Sequence, residues 1–414
     1  MTVARKQRRA SGVAVAATVG NMVGITPAVS ATFGVFLIPI AADFGGSRAA
    51  VSGVLGLVAV ASALVYPVVG RAVDRLGPSR TIMAGNLLLG LAIMALSLAN
   101  GRLAQFYFLF ALVGLAGSIP STAMFSKVVS NWFDKRRGLM LGITAGVGNG
   151  VGATIMPIVA GLLLGVLGWR GGYLVIGALV MLLGFPTLAL LLRDAPRREE
   201  GGQAATEGLS LGQALRTRAF WLMLAAVAIG AGGMTAVFTH VVPMLLDRGV
   251  DLTRATLVVS VFALVTAAWQ IVTGHLLDRW RSPRIVAPMF ASAIVGLLLL
   301  QFGVGTPLLL LGGALLGLGM GAEYGALPYF ISRYFGLRCY GSIAGVLYAA
   351  VVLTQGLTPA LMDIGFDRQG SYDSAVFVIA AALAVGMGLL MILPPLTARP
   401  GEPRSESGDL ALAR

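Results

Sequence analysis

The chain has 414 residues, of which 57% are hydrophobic and only 11% are charged. A soluble domain carries about 25% charged residues, so this composition excludes a soluble enzyme and indicates an integral membrane protein. The single cysteine, Cys339, excludes an intrachain disulfide. With only two histidines, both well separated from the cysteine, we expect no metal site, no cofactor and no enzymatic activity.

Apolar runs of about 20 residues, the length that crosses a bilayer as a helix, recur along the whole chain. Strands of a membrane barrel would show alternation over about 10 residues instead. The runs predict an all-α membrane protein with twelve transmembrane helices, here called spans 1 to 12. They cover residues 12–40, 50–70, 81–99, 104–130, 139–167, 171–192, 219–242, 255–275, 285–303, 305–330, 341–362 and 373–394.

A polar stretch separates six spans from the other six. It predicts an N-terminal half over 1–193, a cytoplasmic linker over 194–218, a C-terminal half over 219–396 and a disordered cytoplasmic tail over 397–414. The last part of the linker, residues 209–215, is either solvated like the rest or forms a short interfacial helix.

Basic residues are unevenly distributed between the two sides of the membrane. With the N-terminus inside, six arginines fall outside and the other 24 of the 30 lysines and arginines lie on the cytoplasmic side, as the positive-inside rule requires. We therefore expect both termini in the cytoplasm, a location in the inner or plasma membrane, and contact of the basic residues with anionic lipid headgroups. The net charge of +13 then gives no support for nucleic-acid binding.

The loop after span 2, residues 70–80, has a glycine, an aspartate four positions later and several arginines. A divergent copy follows span 8, 204 positions later, over residues 274–284. The candidate functional residues of the two loops are Gly70, Asp74, Arg75, Gly77, Arg80, Gly274, Asp278 and Arg279. This repeated loop resembles that of the major facilitator superfamily, which transports small solutes. The resemblance implies a monomer built of two six-helix pseudo-repeats, with a substrate cavity between them near the membrane midplane.

In that family the loop aspartates serve as a conformational latch, and the resemblance carries this role to Asp74 and Asp278. Each carboxylate can pair with nearby arginines and accept hydrogen bonds from the N-termini of adjacent helices. The latch would hold the two halves together when the protein faces outward. A plain tight turn at Gly77-Pro78 is the alternative interpretation.

Ionisable residues inside spans are few, and each is therefore informative. Glu323 in span 10 must face the cavity, pair with another group or be protonated, and burial favours its protonated form. This suits a proton carrier, although a structural hydrogen bond is the alternative. His240, near the outer end of span 7, either gates the outer mouth by titrating near neutral pH or faces headgroups.

Polar side chains are concentrated in the spans that line the cavity in this family. Any one of them is more often a helix–helix hydrogen bond than a substrate contact, but as a group they indicate a cavity of mixed polarity. The predicted substrate and proton site comprises Asn21, Ser118, Asn149, His240, Gln270, Glu323, Tyr324, Tyr348 and Gln355. Glycines four residues apart in span 5 (Gly142, Gly146 and Gly150) and in span 10 (Gly313, Gly317 and Gly321) predict close helix packing.

Residues 44–53, 132–139, 168–170 and 333–336 are similar to segments of the monocarboxylate porter and oxalate–formate exchanger branch. The resemblance implies small organic acids as cargo. Anion carriers of that branch have an arginine in span 8, and dicarboxylate exchangers a lysine in span 11, but residues 255–275 and 341–362 contain neither. Because these two spans offer no buried cation, the carboxylate of a substrate must bind through neutral donors or enter protonated.

The expected function is therefore secondary active transport of a monocarboxylate-type weak acid, coupled to protons. An exporter of neutral or amphipathic compounds, of the drug/proton antiporter type, is one alternative, and a transporter-like membrane sensor is another. Neither alternative has a sequence feature of its own: span 5 has Met156-Pro157 without the glycine–proline pair of drug antiporters, and the chain has no large cytoplasmic domain.

Overall fold

The computed structural model describes residues 3–45, 47–196 and 208–396, and almost all of them are helical. Eleven stretches are long and apolar enough to cross a membrane. The longest, Arg137–Leu191, contains Gly168 with φ 68° and ψ 179°, outside the helical region. This break separates spans 5 and 6, so the chain has the twelve predicted crossings.

The observed helices extend beyond most predicted bounds by several residues. Spans 2, 3 and 7 to 12 are Arg48–Leu76, Pro78–Ala95, Arg218–Asp247, Leu252–Trp280, Ala287–Phe302, Thr306–Tyr334, Tyr340–Gln369 and Asp373–Met391. Span 5 and the start of span 6 form Arg137–Leu179, and span 6 continues through the π-helix Val180–Gly184 to Phe185–Leu191.

Spans 1 and 4 are interrupted, which the sequence analysis did not predict. Span 1 comprises Val3–Met22, the π-helical turn Thr26–Ser30 and Ala31–Phe44. Span 4 comprises Leu103–Gly117 and Thr122–Trp132. A proline lies in each interruption, Pro27 and Pro120, and proline lacks the N–H that continues a helix.

The two six-helix halves meet along two equivalent pairs of spans, 2 with 11 and 5 with 8. Gly70 lies against the backbone of Gly341, and Gly138 against that of Gly274, so closely that a Cβ at any of the four would collide with the opposite backbone. The same approach therefore occurs twice, once on each side of the pseudo-twofold axis. Small residues permit this close approach because they have no side chain that would keep the two backbones apart.

The glycines spaced four residues apart lie on packed faces, as the sequence predicted. Gly142 and Gly146 of span 5 contact span 8, including Gln270. Gly317 and Gly321 of span 10 contact span 8 from the other side. Span 8 is thus held closely between spans 5 and 10, which places its polar residues at the interface between the halves.

Part of the predicted linker packs against the C-terminal half. The backbone N–H of Leu209 donates to Phe335 O at 2.8 Å. Ser210 and Gln213 form a capping box at the start of a short helix, Leu211–Ala214. Of the two alternatives for residues 209–215, the structure has the short helix. Residues 197–207 of the linker and the predicted tail, 397–414, lie outside the described residues.

Candidate functional site

A central cavity of about 240 Å³ lies between the two halves. Spans 1, 2, 4 and 5 form one wall and spans 8, 10 and 11 form the other. Its lining residues are Asn21, Gly24, Ile25, Thr26, Tyr66, Pro120, Ser121, Thr122, Ala145, Asn149, Gln270, Glu323, Tyr324, Leu327, Tyr348, Val351, Val352 and Gln355. The interrupted parts of spans 1 and 4 belong to this lining, since irregular backbone at membrane depth is tolerated where it lines a cavity.

The wall formed by the N-terminal half carries a chain of three polar side chains. Asn21 Nδ2 donates to Ala17 O at 2.9 Å and to Thr144 O at 3.1 Å. Thr122 Oγ1 donates to Asn21 Oδ1 at 2.7 Å, and Asn149 Nδ2 donates to Thr122 Oγ1 at 3.2 Å. The chain ties the interrupted segments of spans 1 and 4 to span 5.

The wall formed by the C-terminal half carries a buried carboxylate. Glu323 is 3% exposed and lies against Gly230 of span 7 and Phe290 of span 9. The backbone of Ala231 approaches it, but within the described part of the chain no donor reaches hydrogen-bonding geometry with either carboxylate oxygen. An unpartnered carboxylate at this depth is costly, and it needs either a proton or a ligand.

Aromatic and amide groups complete this wall. Gln355 Nε2 donates to Tyr324 Oη at 2.7 Å. The rings of Tyr66 and Tyr348, from opposite halves, have their centroids 6.4 Å apart. Among the described residues that line the cavity, Glu323 is the one acidic residue and none is a lysine, arginine or histidine.

Seven of the nine residues predicted for the site lie on this cavity. Ser118 lies outside it and donates to Gly114 O at 2.8 Å, within its own helix. His240 also lies outside it, where Nε2 is 2.8 Å from Asp363 Oδ1 and Nδ1 is 2.8 Å from Ala236 O. Its imidazole is thus buried and hydrogen-bonded to Asp363 at the end of span 11, whose carboxylate is largely exposed.

Several lining residues were absent from the predicted site. Tyr66 lies in span 2, of which only the following loop belonged to the predicted functional residues, and Thr26 lies in the unpredicted interruption of span 1. Thr122 is the centre of the polar chain in the N-terminal half. Its signal in the sequence was the group of polar residues around Pro120 in span 4.

Asp74 connects span 2 to the N-terminus of span 11 in the opposite half. Its carboxylate accepts hydrogen bonds from the backbone N–H of Gly341 at 2.9 Å and of Ser342 at 2.7 Å, and from Ser342 Oγ at 2.6 Å. Lys127 of span 4, in the same half, forms a buried ion pair with it. The lysine thus takes the place of the expected arginine partner. The end of the bundle that contains Asp74 and Asp278 is called the aspartate end below.

Asp278 makes the equivalent connection from span 8 to the N-terminus of span 5. It accepts hydrogen bonds from the backbone N–H of Gly138 at 3.0 Å and of Leu139 at 2.9 Å. The divergence of its loop has therefore left the contact between the halves in place. Both carboxylates lie where a helix N-terminus concentrates partial positive charge.

A third connection at the aspartate end involves charged residues that the sequence analysis missed. Arg333, at the end of span 10, donates to Asp134 Oδ1 at 3.2 Å and to its carbonyl oxygen at 3.1 Å. The buried Arg137 pairs with the same carboxylate at 3.3 Å and donates to Ser332 Oγ at 3.3 Å. Lys127 and Arg137 are therefore buried cations that the sequence analysis had not identified. Neither lines the cavity.

The other predicted latch residues have different environments. Arg75, Arg80 and Arg279 are exposed at the aspartate end. Gly77 has φ 91° and is the N-cap residue just before span 3. The next turn is capped by Asp194, which follows span 6 in the same half and accepts from the backbone of Ser79 at 3.0 Å. These residues shape the loop without joining the two halves.

The described contacts between spans 2 and 11 extend from Gly70 up to Ala59, which lies beside Gly356. Together with the packed crossing of spans 5 and 8, they close the cavity at the aspartate end.

A family model described as Major Facilitator Superfamily matches residues 19–359 and, in a second match, 243–412. The chain belongs to the major facilitator superfamily. Proteins of this superfamily are transporters of small molecules, and the buried cavity between two six-helix halves agrees with membership. The chain is thus a multi-pass membrane transporter.

Among curated relatives, Monocarboxylate transporter 11 of Mus musculus is 27% identical over 400 residues, covering 92% of this chain and 87% of the relative. Monocarboxylate transporter 12 of Rattus norvegicus is 24% identical over 401 residues, covering 88% of this chain and 82% of the relative. The crystal structure of the transporter FucP in the outward conformation has a TM-score of 0.69 at 17% identity, covering 92% of this chain and 98% of FucP. This structural likeness concerns the fold.

Proposed function

We propose that the protein transports a small monocarboxylate-type weak acid together with a proton, by alternating access, across the cell membrane. The observation that carries this proposal is Glu323, a buried and unpartnered carboxylate on the wall of a cavity whose described lining contains no basic residue. A carboxylate in that position needs a proton when no counter-ion is present.

The size and composition of the cavity support a small cargo. A volume of about 240 Å³ is below the range of about 300–1,000 Å³ typical of sites for drug-sized ligands. The names of the relatives, monocarboxylate transporters 11 and 12, agree with an organic acid. The absence of a basic residue from the described lining favours an acid accompanied by its proton over a bare anion or a dianion.

The charge distribution supports placing the aspartate end in the cytoplasm. Most basic residues of the sequence fall on that side in the topology predicted from the positive-inside rule. The structure then corresponds to an outward-facing state, since its halves are closed at the aspartate end. In this proposal the hydrogen bonds of Asp74 and Asp278 form the latch, which breaks when the cavity opens to the cytoplasm.

Reconstituted protein tests the proposal directly. Proteoliposomes that are alkaline inside should accumulate labelled acid from a panel of acetate, propionate, isobutyrate and benzoate, and should lose the effect when the pH gradient is collapsed. Protein-free liposomes under the same gradient correct for passive entry of the protonated acids. Uptake of every panel acid at the rate of protein-free liposomes would refute the proposal.

The orientation has an independent test. Leu76, at the aspartate end of span 2, is 68% exposed, and the chain has one native cysteine, Cys339. In a Cys339→Ser background, Leu76→Cys should react with a membrane-impermeant maleimide in inside-out vesicles and not in intact cells. The opposite pattern would reverse the orientation.

A further inference from the structure

The hydrogen-bond directions along the polar chain of the N-terminal half fix which atoms that wall offers a ligand. Both amide hydrogens of Asn21 are donated to backbone carbonyls, so Asn21 Oδ1 is the atom that accepts from Thr122. Because the single hydroxyl hydrogen of Thr122 is donated there, the atom of Asn149 that approaches Thr122 Oγ1 must be its nitrogen. The other amide hydrogen of Asn149 is donated to Ala145 O at 3.1 Å.

The wall of the N-terminal half therefore presents acceptors to the cavity. All donor hydrogens of Asn21, Thr122 and Asn149 are used inside the protein. Asn149 lines the cavity, and its Oδ1 accepts no hydrogen bond within the described part of the chain. An ionised carboxylate can only accept and gains nothing from this oxygen, whereas a ligand hydroxyl can donate to it.

The opposite wall presents a donor, the side-chain amide of Gln270 in span 8. Gln270 is 6% exposed and lines the cavity, and its amide atoms are not fully enclosed. Of the four amide side chains on the lining, Asn21, Asn149 and Gln355 have hydrogen-bond partners, whereas Gln270 has none among the described residues. An amide left unsatisfied at this depth is costly, and a ligand in the cavity can satisfy it.

Other polar groups of the lining are less suited to hold a ligand carboxylate. The carboxylate of Glu323 lies on the far face of span 10, against Gly230 and Phe290, which do not line this cavity. The phenols of Tyr66 and Tyr348 each lie beside a serine hydroxyl, so a partner is already at hand. Gln270 is therefore the donor that is left for the ligand.

Asn149 and Gln270 lie close together across the crossing of spans 5 and 8. Gly146 of span 5 packs against the side chain of Gln270. Asn149 follows three residues later, which is about 4.5 Å farther along the helix axis. A short ligand with a carboxylate at one end and a donor group near it can therefore contact both residues.

We infer that the carboxylate of the transported acid accepts from the Gln270 amide, and that a hydroxyl group of the same acid donates to Asn149 Oδ1. The preferred cargo is accordingly a short hydroxy monocarboxylate, selected over the oxo acid of the same carbon skeleton. This inference rests on the proposed function and names the substrate class within it. The coupled proton travels separately, on Glu323.

Three acids with one carbon skeleton test the inference in wild-type proteoliposomes. Lactate, propionate and pyruvate carry a hydroxyl, a hydrogen and an oxo group at C2, and all three are ionised at pH 7. Lactate should inhibit counterflow of the best panel acid about five- to tenfold more strongly than propionate, as one matched hydrogen bond provides. Pyruvate should bind no better than propionate, because its oxo oxygen can only accept and would face Asn149 Oδ1.

Two variants separate the hydroxyl contact from the carboxylate contact. Asn149→Leu removes the acceptor, so the ratio of lactate to propionate affinity should fall to within about twofold. Any change that the variant makes to the wall itself affects both acids and cancels in this ratio. Gln270→Leu should weaken all three acids by about tenfold or more, the contribution of a hydrogen bond to a charged group, and should keep the preference for lactate.

The matched control is Gln369→Leu, the same change at the exposed end of span 11. It should keep the wild-type affinities and their ratio. Equal wild-type affinity for lactate and pyruvate would overturn the inference, and this measurement needs no variant to fold. A preference that survives Asn149→Leu, or unchanged affinities in Gln270→Leu, would overturn it as well. Any of these results together with gradient-driven uptake leaves the proposed function standing, whereas the lack of any acid transport removes both.

Discussion

Replacement of Asp74 by asparagine tests how much the contact between spans 2 and 11 contributes to closure of the aspartate end. The aspartate accepts three hydrogen bonds from Gly341 and Ser342 in the other half. Asparagine is nearly isosteric but has one acceptor oxygen and no charge. A hydrogen bond to a charged group contributes about 1.5–3 kcal/mol, against about 0.5–1.5 kcal/mol for a neutral one.

We expect a net loss of about 2–3 kcal/mol, after allowing for the bonds that the amide oxygen retains. Because about 1.4 kcal/mol corresponds to a factor of ten in an equilibrium, the ratio of closed to open aspartate ends should fall roughly 30- to 150-fold. Transport should slow strongly, since each cycle must pass through the state that the latch stabilises.

The conformational change can be followed by pulsed EPR between spin labels at Leu76→Cys and Arg338→Cys in a Cys339→Ser background. Both positions are exposed at the aspartate end, on opposite halves. Asp74→Asn should move the distance distribution toward longer values and reduce counterflow in the same preparation. Unchanged distances together with wild-type counterflow would refute the latch.

Four other predictions concern the second loop aspartate, the cavity and the crossing of spans 5 and 8. Asp278→Asn should slow transport less than Asp74→Asn, because the loop that carries Asp278 keeps less of the family pattern than the loop of Asp74; an equal or larger loss of counterflow would contradict this. Glu323→Gln should abolish accumulation driven by a pH gradient but retain exchange, and persistent accumulation would make Glu323 structural. Oxalate and malonate should compete poorly with monocarboxylic acids for transport, and Gln270→Arg should make both dicarboxylates stronger inhibitors. Tight, pH-independent inhibition of the wild type by either would reveal a missed anion site. Gly138→Val should hold the aspartate end open, because a side chain there collides with the backbone of Gly274, and EPR distances like those of the wild type would argue against the packed crossing.

The fold was predictable because a bilayer imposes length and polarity on every span. The twelve predicted apolar runs match the eleven long apolar stretches of the structure once the longest stretch is divided at Gly168. The interruptions in spans 1 and 4 were not predicted, because hydropathy averaged over a whole span hides the short stretches of polar residues around Pro27 and Pro120. Backbone geometry, and not composition, brings Thr26 and Thr122 to the cavity.

The site was only partly predictable for a related reason. Seven of its predicted residues line the cavity because polar groups in apolar spans have few other places to lie. The sequence did not show that His240 lies outside the cavity, because its partner, Asp363, is 123 positions away and belongs to a predicted loop. Lys127 was counted with the cytoplasmic charges, since nothing in its local sequence shows that it lies beside Asp74.

The ion pair between Lys127 and Asp74 also determines what happens when the halves part. The hydrogen bonds from span 11 are lost with the opposite half, but Lys127 belongs to the same half as Asp74 and moves with it. The carboxylate is therefore never left as a lone charge in a half-opened interface, where desolvation without a partner would cost several kcal/mol. The lysine thus stays beside Asp74 in both states, and a leucine at position 127 would leave the carboxylate without that partner once the halves part.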